Sequence, residues 1–90
     1  MATSEDLARL AEFRLQIDAI DEQLLTVLAQ RAALVAQAWR LKENTGMPQR
    51  NAEREREILA RMAAHGEALG LDPQAVAAVF QQVIGVARRP

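Results

Sequence analysis

Four cations and a carboxylate, Arg14, Arg31, Lys42, Arg54 and Glu55, have the types and order to hold a small dianion. Arg31 says most. Stepping by sevens from Leu10 gives Leu10, Ile17, Leu24, Arg31 and Ala38, and stepping from Phe13 gives Phe13, Ile20, Val27, Leu34 and Leu41. These are the a and d rows of a long amphipathic helix whose seam must pack against something. A guanidinium stays ionised and is costly to bury unless polar or charged groups meet it. A cation in that seam therefore serves an anion, either a ligand or an Asp or Glu on a partner helix.

Arg31 and Lys42 lie eleven residues apart, close to three whole turns, so both project from one face and can reach the two ends of a dianion in a groove. Arg54 sits one turn before Ile58, on the apolar side of a later helix, with Glu55 beside it. Arg14 is about 42 Å from Lys42 along the helix axis, too far to share a site within one chain. An antiparallel two-fold partner would bring its own Arg14 to this segment and create two equivalent sites per dimer. Plainer readings stand beside these. Arg54 belongs to the run Glu53 to Glu57, which reads as a solvated face with weak pairs. Lys42 suits a helix C-terminus, Arg14 has Asp18 and Asp21 at helical spacing, and Trp39 and Met47 read as packing residues.

The elements that must position these groups are three helices. Thr3 or Ser4 caps the first, Glu5 and Asp6 complement its dipole, and with no Pro or Gly before Gly46 it runs to about Glu43. Asn44 to Pro48 form the break. A second helix starts around Asn51, carries Ile58, Leu59, Met62 and Ala63 on one face, and ends near His65 and Gly66, or at latest by Gly70. Asp72 and Pro73 open a third, with Val76, Val79, Phe80, Val83, Ile84 and Ala87 as its stripe, ending at about Arg88. A first helix of about 40 residues is roughly 60 Å long. The shorter helices cannot cover such a rod, so the expected architecture is an all-α, intertwined homodimer with one long and two shorter helices per chain.

Ninety residues, half of them apolar, make one small domain spanning 1–90. Eleven basic against twelve acidic residues give no global field for nucleic acid. Cysteine is absent and His65 is the lone imidazole, so no metal site is expected. The start MATSED lacks a signal peptide's features, and no apolar run matches a membrane span, so the expectation is cytoplasmic with no membrane partner. Neither a Ser-His-Asp arrangement nor a phosphate-binding glycine loop is present.

On this plan the chain resembles the all-α (type II) chorismate mutases over nearly its whole length. The resemblance rests on FRLQIDAIDEQLLTVLAQR, where Arg14 and Arg31 bracket an Ile-Asp-x-Ile-Asp core, then on Lys42, on Arg54-Glu55 twelve residues later, on GLDP at Gly70 to Pro73, and on VFQQVI. It implies an isomerase that rearranges chorismate to prephenate in aromatic amino-acid biosynthesis, without cofactor, in a dimer with shared active sites. Arg31 and the other chain's Arg14 then hold the two carboxylates. Lys42 contacts a carboxylate and the ether oxygen, Arg54 supports the carboxylate site, and Glu55 accepts from the ring hydroxyl. Asn51 stands where many relatives have Asp near that hydroxyl, and Ala87 where some carry a Ser that touches a carboxylate. The Gln or Glu that relatives place one turn later would fall just past Pro90, leaving Arg88 or Arg89 as substitutes. Two rivals share the scaffold, isochorismate pyruvate lyase and 4-amino-4-deoxychorismate mutase. A third reading is a catalytically weak dimerisation or partner-binding homologue, against which the seam cation Arg31 argues.

Overall fold

The computed structural model describes residues 1–48 and 50–86. The fold is all-α, with α1 (Ser4–Thr45), α2 (Ala52–Ala68) and α3 (Pro73–Val86) in chain order. Among the described residues, no helix is long and apolar enough to cross a membrane. The chain divides into two compact units, Met1–Gln30 and Arg31–Pro90.

The first unit is the N-terminal part of α1. Thr3 caps it reciprocally: the Asp6 N–H donates to Thr3 Oγ1 (3.0 Å), and the Thr3 N–H donates to Asp6 Oδ2 (3.1 Å). The seam rows are apolar and uncovered. Leu10, Phe13, Ile17, Ile20, Leu24 and Val27 are all exposed, from 43% at Leu10 to 58% at Leu24 and Val27. Arg9 lies 5.8 Å from the Phe13 ring centroid, a weak cation–π contact at an exposed position.

In the second unit α2 and α3 pack on each other. The expected stripe of α2, Ile58, Leu59, Met62 and Ala63, is half-buried, as are Val76, Phe80, Val83 and Ile84 of α3. Val79 departs from expectation by being 58% exposed, and Ala77 is half-buried instead. Ala87 and the expected helix end at Arg88 lie outside the described residues. α1 here covers a different stripe from the heptad seam: Arg31, Val35, Trp39 and Lys42 are half-buried, while Leu34 and Leu41 remain exposed.

The helix ends are set by local chemistry. α1 continues two residues past Glu43, and the Thr45 hydroxyl donates back to the Lys42 carbonyl (3.0 Å) before Gly46 turns left-handed at φ 74. α2 passes through Gly66 and stops at Ala68. The Leu71 N–H donates to the Gly66 carbonyl (2.9 Å) and the Gly70 N–H to the Glu67 carbonyl (3.0 Å), the paired bonds of a Schellman motif with left-handed Gly70, φ 84, at its centre. Asp72 caps α3 through the Gln74 N–H (3.0 Å), with Pro73 as first helical residue.

Gly66 is the one buried residue of α2 because the helices meet there: a Cβ would lie 2.7 Å from Val76 Cγ2. Gly66→Ala gains about 1 kcal/mol of helix propensity but drives a methyl into a stiff β-branched side chain, an overpacking cost of roughly 1–3 kcal/mol. We expect net destabilisation, read as a lower urea midpoint at fixed protein concentration. In a Val76→Ala background the same change should be neutral or stabilising.

Candidate functional site

The last turns of α1 and the first turn of α2 present one concave face. Gly46 ends α1, and the Met47 N–H donates to the Lys42 carbonyl (3.1 Å), so the backbone at Lys42 carries two bonds from the turn that follows it. The chain re-enters a helix at Asn51, which is extended (φ −122, ψ 100). Its Oδ1 accepts from the Arg54 N–H (2.9 Å), and its carbonyl accepts from the Glu55 N–H (3.0 Å). One capping residue thereby holds the backbone of two candidate site residues in the first turn.

The pocket between these segments has a volume of about 720 Å³, within the range of small-molecule sites. Arg31, Lys42, Asn51, Arg54 and Glu55 all line it, joined by Arg50 and Glu43. Leu34, Val35, Ala38, Trp39, Ile58 and Ile84 supply its apolar wall. Four cations against two carboxylates leave a net charge of +2 on the lining at neutral pH, and the N-terminus of α2 adds its partial positive charge. The arrangement suits a compact dianion with an apolar body.

Arg14 belongs to the unit Met1–Gln30 and is absent from the lining of this pocket. Ala87 lies outside the described residues, as do Arg88 and Arg89. Arg54 Nη1 donates to Glu57 Oε1 (2.7 Å), with side chains 51% and 59% exposed. This is the weak surface pair expected of the Glu53 to Glu57 run, worth a few tenths of a kcal/mol. Such a partner is easily exchanged for a ligand carboxylate.

Arg50 was not legible as a site residue. Its Nε donates to Glu55 Oε2 (2.8 Å) and its Nη2 to Oε1 (3.2 Å), a two-pronged fork that keeps the guanidinium above its usual pKa through hydrogen bonding and charge attraction. The pair spans five residues across the cap, a spacing that helical pairing rules do not cover. The available signal was an arginine directly before an N-cap whose first turn carries a carboxylate.

Residues 13–89 match the family described as chorismate mutase type II. The chain is 38% identical over 78 residues to the T-protein of Enterobacter agglomerans, covering 87% of this chain and 21% of that protein. It is 36% identical over 75 residues to the bifunctional chorismate mutase/prephenate dehydratase of Escherichia coli, covering 83% and 19%. A chorismate mutase of Methanocaldococcus jannaschii is 31% identical over 78 residues, covering 87% and 79%. The chain thus spans about a fifth of the T-protein and the bifunctional relative, and most of the third. Its fold is similar to that of a chorismate mutase from Thermus thermophilus, with a TM-score of 0.82 at 24% identity over 88% of this chain and 98% of that one.

The cap at Asn51 yields a direct expectation. Asn51→Ala should lower stability by about 1 kcal/mol, since the Arg54 N–H loses its acceptor, whereas Asn51→Asp keeps the cap and adds a charge that the helix dipole favours. Urea unfolding of both variants at one protein concentration should rank Asp at or above wild type and Ala below it.

Proposed function

The chain belongs to the chorismate mutase type II family, and on that premise we propose that residues 1–90 form one domain that rearranges chorismate to prephenate in cytoplasmic aromatic amino-acid biosynthesis. The observation that carries this reading is the pocket of net charge +2 holding Arg31, Lys42, Arg54 and Glu55 against an apolar wall. A 3,3-sigmatropic rearrangement needs no nucleophile, general base or cofactor. It needs the diaxial substrate held with its reacting ends together, and positive charge where the breaking C–O bond becomes negative. Arg31 grips one carboxylate, and Lys42 serves a carboxylate and the ether oxygen, where its charge acts on the transition state more than on the ground state. Arg54 supports the carboxylate site. Glu55 accepts from the ring hydroxyl near Asn51.

Arg14 joins through a second copy of the chain. Support comes from the exposed apolar seam of Met1–Gln30, a contiguous face of the kind that marks an interaction surface. An antiparallel partner covering that seam would bring its Arg14 to this chain's pocket, completing two shared sites per homodimer.

Purified protein given chorismate, isochorismate and the 4-amino analogue in separate reactions should act best on chorismate, with prephenate identified by NMR. Arg31→Ala should lose roughly a hundred- to a thousandfold in kcat/KM with an unchanged circular dichroism spectrum. A steep fall in melting temperature with unaltered turnover would instead make Arg31 a structural ion-pair member.

Sharing is tested by refolding Arg14→Ala and Lys42→Ala chains together. A mixed dimer then holds one doubly damaged site and one intact site. Random reassortment makes about half the dimers mixed, so activity should return to roughly a quarter of wild type. Activity that stays at the level of the single variants means that Arg14 and Lys42 serve the same chain's site.

A further inference from the structure

We propose that Arg50 determines which ring substituent the pocket accepts, by neutralising Glu55 so that the carboxylate selects a neutral hydroxyl donor over an ammonium. This inference rests on the mutase reading and sharpens it, because a hydroxyl and an amine both satisfy an acceptor and only charge distinguishes them. The Glu55 side chain is 19% exposed and Arg50 64% exposed, so the carboxylate is largely covered and its cation comes from the solvent side. Arg50 approaches from outside the helix, directly before the Asn51 cap, and meets both carboxylate oxygens. Arg54, the neighbouring cation, is instead hydrogen-bonded to Glu57.

The fork has two separable effects. Charge comes first: the Glu55 carboxylate draws a protonated amine by direct Coulomb attraction, and the adjacent Arg50 guanidinium opposes that pull. Geometry comes second: the fork meets both carboxylate oxygens and so fixes the plane in which Glu55 presents its lone pairs. Glu55 then functions as an aligned, nearly neutral acceptor. Arg50 is a specificity-determining residue that acts through Glu55.

The test measures kcat/KM for chorismate and for its analogue with an amine in place of the ring hydroxyl, in wild type, Arg50→Gln and Arg50→Lys. Removing the charge in Arg50→Gln should move the ratio toward the amine by on the order of tenfold. Arg50→Lys retains the charge without the two-pronged fork, so the ratio should stay near wild type even where kcat falls for both substrates. A purely structural role would lower both substrates alike in both variants and leave the ratio fixed, which overturns the proposal. An equal shift of the ratio in Arg50→Lys and Arg50→Gln also overturns it, since charge would then not be the determinant. If wild type turns over neither compound, the mutase reading itself fails, an outcome distinct from an unchanged ratio in an active enzyme.

Discussion

Between the cap at Thr3 and the left-handed Gly46 the chain contains no residue able to stop a helix, and much of the molecule follows from that. Forty-two residues propagate as one element, and its two units differ in what they cover. Arg31, Val35, Trp39 and Lys42 turn toward the chain's own pocket, whereas Leu10, Phe13, Ile17, Ile20, Leu24 and Val27 lie in solvent. Arg31 opens the second unit and is half-buried in the lining of its pocket.

The pocket divides its tasks between backbone and side chains. Asn51 anchors the backbone of Arg54 and Glu55, so their Cα positions do not depend on the weak ion pairs at their tips. The Arg54 side chain then exchanges partners at little cost, because its exposed pair with Glu57 contributes little to stability, whereas the fork from Arg50 holds Glu55 in place. Gly66 performs the corresponding task between α2 and α3: by lacking a Cβ it lets Val76 approach, in the same helix that carries Arg54, Glu55 and Ile58.

Features written in local backbone chemistry were legible in the sequence. Asp72-Pro73 and the start near Asn51 each depend on a few adjacent residues, and the structure has them, whereas the second helix runs past the expected end near His65 and Gly66 to Ala68, within the outer bound of Gly70. The eleven-residue spacing of Arg31 and Lys42 depends only on helical pitch, and both line one pocket. What escaped depends on packing between elements. Gly66 reads as a breaker until Val76 is beside it, and Val79 fits the α3 stripe by period yet is exposed. Arg50 escaped because its reach to Glu55 crosses a non-helical residue, where no periodic rule applies.

The uneven placement of charge governs how an anion would arrive. The whole chain has a net charge of −1, yet the pocket lining carries +2, which leaves the remainder at −3. A dianion at long range therefore meets weak repulsion, and attraction begins only within about one Debye length of the pocket mouth, roughly 8–10 Å at physiological ionic strength. Capture is consequently a short-range event. Added salt would weaken the final approach while relieving the distant repulsion, so the encounter rate should respond less to ionic strength than it does for proteins whose whole surface steers the ligand.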